Sequence, residues 1–424
     1  MKISNARICV IGSEILNGFI SDTNTRFFAE ELFKLGITIK ESRALRDNED
    51  DVFQCLKEFI KTGDFIITCG GLGPTQDDLT VDVLCRLLNT KPVMDPIAER
   101  KVKAIFQKRY TNRPDIIEKA LKQARIPQKA ISLKNRVGLA SGIWLPEIPL
   151  LSLPGFPIEI KSIWPFALKE IKNVSSQKPA VKIIPLWSIG ESRFMSEIKV
   201  PDEIEAGVHA LPLGIRLFIK SKKNTSEKAL LKFEKEIKTK FAPFVVDDPL
   251  KAFVEFCQKN NKTFSTAESC TGGLMASKIT ANSGVSTVYK GGAVTYHNDL
   301  KQNIANVSEN TLKKYGAVSA QTAAEMAMGI LKKTNTDYAI SATGIAGPSG
   351  GTKEKPVGTV FIGLAKKNEG VYVSKFNYPV GRERFREAVT ASAFISLYQS
   401  LIFYKNTNDW LEKGFGGFVE LKLS

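Results

Sequence analysis

Histidine is nearly absent from this 424-residue sequence: only His209 and His297 occur. That excludes a metal site built on several imidazoles, and a Ser-His-Asp triad could draw on just one of the two. If the chain performs hydrolysis, its base is expected to be another residue type. Cysteine is sparse as well. The six thiols, at positions 9, 55, 69, 85, 257 and 270, form no C-x-x-C pair and show no regular spacing. Neither a disulfide framework nor a zinc knuckle is expected; they read as free thiols of a reducing compartment. No apolar run reaches the roughly 18 residues that a membrane span needs. The opening MKISNARICVIG leads straight into strand-like residues, without the basic, apolar and small-residue order of a signal peptide. A cytoplasmic protein without membrane association is the expectation.

What is present is ample for a folded chain. Hydrophobic residues make up 43% and charged residues 25%, enough to bury several cores. At roughly 150 residues per domain the length suggests about three domains. The net charge of +16 permits nucleic-acid or anionic-ligand binding. The basic residues, however, are mixed with acids, as in Ser226–Lys240, and no basic stripe interleaved with aromatics occurs. Nucleic acid is therefore not the expected main ligand.

Hydropathy patterning predicts an α/β chain in four parts. Residues 1–170 alternate strand-like runs (ARICVIG, ITIKESRAL, DFIITCGG, PLLSLPG) with helical ones, which points to a parallel, doubly wound sheet. Residues 171–250 read as a small split β-α-β unit, closing with a strand at APFVV. Residues 251–408 return to α/β alternation, with Ser319 as an expected helix N-cap. Residues 409–424 are a weakly patterned tail. No internal repeat links the first and third parts.

The third part carries four strand ends with polar side chains. In STAESCTGG a strand ends at Ala267, and Ser269 is expected where a helix begins. Gly272 and Gly273 allow close approach of ligand and backbone, and the N–H groups of a helix start would favour a developing oxyanion. The alternative is a capping serine, and Cys270 next door is a competing nucleophile. In GGAVTYHNDLK, Tyr296 and Lys301 fall at the next strand end. A lysine whose pKa is lowered by burial can serve a serine as base; an ordinary solvated lysine is the plain alternative. In ISATGIAGPSGG, Thr343 could donate a hydrogen bond, with Gly344 opening a glycine loop. In NYPVGRERFREA, Arg382 lies at a strand–helix junction and suits a phosphate or carboxylate, while Arg386 is one turn later. Open α/β sheets bind ligands at this edge, and four such ends suggest a serine amidohydrolase for an anionic small molecule.

The strings AESCTGG, GGAVTYHNDLK, GAVS, TGIAGPSGG and KPVGT resemble the CinA C-terminal family, the nicotinamide mononucleotide deamidases, over most of residues 251–400. The resemblance implies a three-layer α/β/α amidase domain that converts nicotinamide mononucleotide to nicotinate mononucleotide and ammonia without a cofactor. It also implies Ser269 as nucleophile, Lys301 as general base and Tyr296 as an assisting or orienting group. Thr343 with nearby backbone would contact substrate or oxyanion. Gly272, Gly273, Gly344 and Arg382 are the implied substrate contacts. Arg382 matches the arginine of a G-D-R pattern, which here lacks its acid after Val380 and Gly381.

In the first part, GGLGPTQDDLT puts Gly70, Gly71 and Gly73 in a loop able to cradle phosphates, followed by Asp77 and Asp78. Paired carboxylates beside such a loop suggest a divalent cation; a turn with a capping Asp is the plain alternative. Glu14, Asp47 and Glu159 add acids at other strand ends. GSEILNG, SDTNTRFFAEEL, RDN, GGLGPTQDDLT and LPGFPIE resemble the molybdopterin-binding fold found in the N-terminal half of the CinA family. The resemblance implies a KH-type middle module and metal positions at Asp47 and Asp78, with Asp77 beside them. It also implies an ADP-ribose pyrophosphatase activity that needs a divalent metal (Mg, Mn or Co) and yields AMP and ribose 5-phosphate. A homodimer is the oligomer implied. Two alternatives stay open: an amidase whose first domain only binds nucleotide or pterin, and a non-enzymatic accessory protein of competence.

Overall fold

The computed structural model describes residues 3–109, 113–174, 181–222, 227–404, 407–413 and 416–423. Ser226, at the start of the mixed-charge stretch, and three residues of the 409–424 tail lie outside them. The chain divides into two compact units, Met1–Val181 with Lys220–Glu227, and Lys182–Ile219 with Lys228–Ser424.

The first unit is built on a six-stranded sheet. Its strands are β1 (Asn5–Ile11), β2 (Thr38–Leu45), β3 (Phe65–Cys69), β4 (Ile131–Leu133), β5 (Gly142–Leu145) and β6 (Leu150–Leu153), in spatial order β2-β1-β3-β6-β5-β4. β1, β2, β3 and β6 run parallel. Helices α1 (Asn24–Lys34), α2 (Glu49–Lys61) and α3 (Thr80–Leu87) connect the early strands, and α4 (Pro157–Val174) follows the last. Phe28 and Leu32 of α1 pack with Ile160 and Trp164 of α4 on one face; Val52, Leu56 and Phe59 of α2 pack with Leu84 of α3 on the other. This is the expected doubly wound arrangement with one difference: β5 is antiparallel to β6, and β4 to β5. Only Pro146–Pro149 separate β5 from β6. So short a connection permits a hairpin and forbids a parallel crossover.

A three-stranded sheet follows, of β7 (Val181–Trp187), β8 (Ile204–Leu211) and β9 (Gly214–Ser221), in order β8-β9-β7. The strand expected at APFVV is a single 3-10 turn at Ala242–Phe244 and one bridge between Leu186 and Val245.

The second large sheet holds β10 (Phe264–Glu268), β11 (Tyr289–Val294), β12 (Tyr338–Gly344), β13 (Thr359–Lys366), β14 (Gly370–Asn377) and β15 (Val419–Glu420), in order β11-β10-β12-β13-β14-β15. β10, β11 and β12 are parallel; the rest alternate in direction, β14 against β13 because just three residues join them. Helices α5 (Pro249–Lys259), α6 (Leu274–Thr280) and α8 (Arg382–Tyr398) cover one face through Phe253, Met275, Phe385 and Val389. α7 (Ala320–Thr334) covers the other through Ala323, Ala327 and Ile330. The result is the three-layer α/β/α arrangement. Ser319 caps α7 as expected, accepting from the Thr322 N–H. The tail is no loose extension. Trp410 and Phe418 are buried in the core beside Tyr372 and Phe376, and β15 extends the sheet.

Candidate active site

Ser269 directly follows β10, but it does not start a helix. Five residues, Ser269–Gly273, make a tight turn before α6 begins at Leu274. Gly272 and Gly273 have φ of +59° and +91°, left-handed values that favour glycine. They shape the turn and do not line the cavity beside Ser269. The start of α6 is occupied by the chain itself: the buried carboxylate of Glu268 accepts from the Met275 N–H at 3.1 Å and the Ala276 N–H at 2.8 Å. The helix N–H groups expected to favour an oxyanion are therefore taken. The N–H of Ser269 is also engaged, donating to the Ala342 carbonyl at 2.9 Å. Arg386 anchors the same turn by donating to the Thr271 carbonyl at 2.8 Å.

Lys301 lies on the short helix Asn298–Asn303 and is 1% exposed. Its Nζ is 2.9 Å from Ser269 Oγ, and donates to the carbonyls of Thr295 at 2.7 Å and Tyr296 at 3.3 Å. Burial pushes its pKa down from 10.5 to about 8, because an ammonium loses hydration there. Protonated, the ammonium can donate to all three oxygens. Deprotonated, the amine keeps its two N–H bonds for the two carbonyls, and its lone pair remains for the serine hydroxyl. An amine so held can withdraw a proton from Ser269. Cys270, the competing nucleophile, is different. Its side chain joins the core cluster, and burial pushes the thiol up to about 12, far from the reactive thiolate.

These groups line a cavity of about 180 Å³ with Tyr296, Ala317, Val318, Thr343, Gly344, Ala346 and Arg382. Arg382 opens α8 and donates to the Gly347 carbonyl at 3.0 Å and the Tyr296 hydroxyl at 2.8 Å. Of the two arginines, Arg382 thus reaches the cavity and Arg386 supports the turn. Thr343 departs from its expected role as a donor: its hydroxyl proton is already given to the Ala317 carbonyl at 2.7 Å. Gly344 is sterically required, since a Cβ there would sit 2.8 Å from the Thr359 carbonyl oxygen. Sequence reading missed Ala317, Val318 and Ala346 as wall residues. GAVS stood out as a string, but small apolar side chains carry no chemical signal of their own.

In the first unit the glycine loop folds onto itself. A Cβ at Gly70 would lie 2.1 Å from the Ile11 carbonyl oxygen, and one at Gly71 2.3 Å from Thr80 Oγ1. The Asp78 carboxylate accepts from the Gly73 N–H at 2.7 Å and from the Thr75 N–H and hydroxyl at 2.8 and 2.6 Å. Asp47 Oδ2 accepts from the Ser13 N–H at 2.8 Å and hydroxyl at 2.7 Å. Asp77 and Glu14 are exposed, and burial raises the Glu159 carboxyl. Among the described residues no group of three or more His, Cys, Asp or Glu is placed to hold a metal ion. Asp78 binds its own loop and Asp47 binds Ser13 in the turn after β1, so the residues present do not fit a resident divalent cation held by protein ligands alone. Nor, among the described residues, is any helix long and apolar enough to cross a membrane.

Fold and site together define a mixed α/β protein with a buried serine–lysine pair at the carboxyl edge of its second large sheet. The family model described as the CinA C-terminal domain matches residues 247–401, and that described as a probable molybdopterin binding domain matches residues 7–173. A putative competence-damage inducible protein of Halothermothrix orenii is 36% identical over 414 residues, spanning 94% of this chain and 99% of its own. One from Clostridium beijerinckii is 38% identical over 413 residues, with the same two shares. The chain belongs to the CinA family. The crystal structure of the competence/damage inducible protein CihA from Agrobacterium tumefaciens is 40% identical over 36% of this chain and 94% of its own, with a TM-score of 0.35.

Proposed function

We propose that the C-terminal unit is a serine–lysine amidohydrolase that converts nicotinamide mononucleotide and water to nicotinate mononucleotide and ammonia. The observation that carries this reading is the Lys301 amine, 2.9 Å from Ser269 Oγ and cradled by two carbonyls. In the first half-reaction Ser269 Oγ attacks the carboxamide carbon while its proton passes to Lys301. The tetrahedral adduct collapses, the C–N bond breaks, and the nitrogen takes the proton from Lys301 to leave as ammonia. In the second half, water gives a proton to Lys301 and its oxygen attacks the ester. The C–Oγ bond breaks, Oγ recovers the proton, and the acid is released. Arg382, held beside the cavity by Tyr296 and Gly347, meets the nucleotide phosphate. No step needs a cofactor.

Ammonia release from nicotinamide mononucleotide, without added metal, tests the reading on the intact chain and on Ser269→Ala. Turnover that disappears in the variant is the expected result; no turnover in the intact chain, or turnover that survives the substitution, refutes it. The expected second activity, metal-dependent cleavage of ADP-ribose, has the glycine loop in its favour and the engaged carboxylates of Asp47 and Asp78 against it. The N-terminal unit is accordingly read as a nucleotide-binding domain. ADP-ribose turnover with Mg, Mn or Co that is lost in Asp47→Ala would reinstate the second activity. The working form is taken to be a cytoplasmic homodimer, which sedimentation of the intact chain checks for its oligomeric part.

A further inference from the structure

A hydroxyl has one proton, and that of Thr343 is committed: Oγ1 donates to the Ala317 carbonyl at 2.7 Å. Both residues stand on the cavity wall, and Thr343 is 1% exposed, so bulk water does not compete for the bond. A hydroxyl in this state offers the cavity lone pairs only. Thr343 is also beside the nucleophile. The Ser269 N–H bonds the Ala342 carbonyl on the neighbouring strand, which sets Ser269 level with the residue after Ala342. An acyl carbon at Ser269 Oγ therefore has a substituent near an obligate acceptor.

We infer that Thr343 selects the carboxamide over the carboxylate, its oxygen receiving an amide N–H of the substrate and repelling the matching oxygen of the product acid. The inference rests on the amidase reading and names what separates substrate from product within it. The two molecules differ at one position, where NH2 is a donor and O⁻ an acceptor. Such a device is needed because the pocket otherwise favours the product. Below about pH 8 Lys301 carries a proton, and a cation attracts the acid more than the neutral amide. The bond to Ala317 makes the selection one-sided, since a free hydroxyl would rotate and donate to a carboxylate as readily as it accepts from an amide.

The test is binding to full-length Ser269→Ala, titrated with nicotinamide mononucleotide, nicotinate mononucleotide and the acetylpyridine mononucleotide, a neutral isostere with methyl in place of the amide nitrogen. The amide is expected to bind about tenfold more tightly than the ketone, the scale of one hydrogen bond with a buried acceptor. Adding Thr343→Val should shift the amide-to-acid affinity ratio about tenfold toward the acid, and Thr343→Ser should restore it. Equal binding of amide and ketone by Ser269→Ala, or a ratio unmoved by Thr343→Val, overturns the inference. The ketone comparison needs no change at Thr343, so poor folding of that variant cannot hide the answer. Ammonia release by the unaltered chain is read separately. Its absence removes the amidase reading, whereas release with selectivity unmoved by Thr343→Val removes only the role of Thr343.

Discussion

The two large sheets each bring polar loops to the carboxyl ends of parallel strands, yet they leave those loops in opposite states. At the first, the acids are consumed by their own backbone: Asp78 ties Gly73 to Thr75, and Asp47 holds Ser13. At the second, an amine is buried against a hydroxyl beside a cavity. A carboxylate whose oxygens are already taken by N–H and hydroxyl donors of the chain is a structural element of its loop. A lysine held out of water is destabilised as a cation and poised to exchange a proton. Chemistry therefore follows from which polar groups remain uncommitted, rather than from how many a loop contains.

The sharpest break of this contrast is Lys301→Met. It should lower the rate of ammonia release by about 10³-fold, the contribution of a positioned general base, while the variant stays folded. Next in size is Arg382→Ala, expected to raise KM for the mononucleotide about tenfold with a smaller change in kcat, as befits a charge-assisted contact to a remote phosphate. Asp78→Ala tests the other side. Leaving the Gly73 and Thr75 N–H groups without their acceptor should destabilise the N-terminal unit by about 1–3 kcal/mol in a denaturant titration, with ammonia release per folded molecule unaltered. Smallest in its effect on turnover is Cys270→Ala. A protonated core thiol can be removed at some cost in packing, and ammonia release should persist; its loss would return Cys270 to consideration as nucleophile.

Stability carries the same signature. Lys301 has a folded-state pKa of about 8 against 10.5 unfolded, so between those values the unfolded chain binds more protons. Stability of the C-terminal unit should then rise with pH across that window, by about 3 kcal/mol at most. Below pH 8 both states are protonated and the burial cost is present in full. Lys301→Met should abolish this slope.

Much of this was legible from the residues. Alternation of apolar runs with helical periodicity located both sheets, and the strand ends pointed to Ser269, Lys301, Thr343 and Arg382, which line one cavity. Strand direction was not legible from burial, because an antiparallel β13 and a parallel β12 have equally buried apolar residues; only for β5–β6 and β13–β14 does a short connection carry it. The role of Thr343 and the engagement of Asp78 were hidden for another reason. Each depends on a hydrogen bond to backbone whose position is set only by the folded loop. The tail looked unpatterned since its two anchors, Trp410 and Phe418, are isolated large side chains without a period.

The pH dependence of kcat/KM for ammonia release from nicotinamide mononucleotide tests the serine–lysine claim most directly, because it reports the free protein's essential base. The account predicts a rate that rises with pH, tenfold per unit below the midpoint, and levels off above about 8, where Lys301 has lost its proton. A profile that is flat from pH 6 to pH 9, or that falls as the lysine deprotonates, would contradict it.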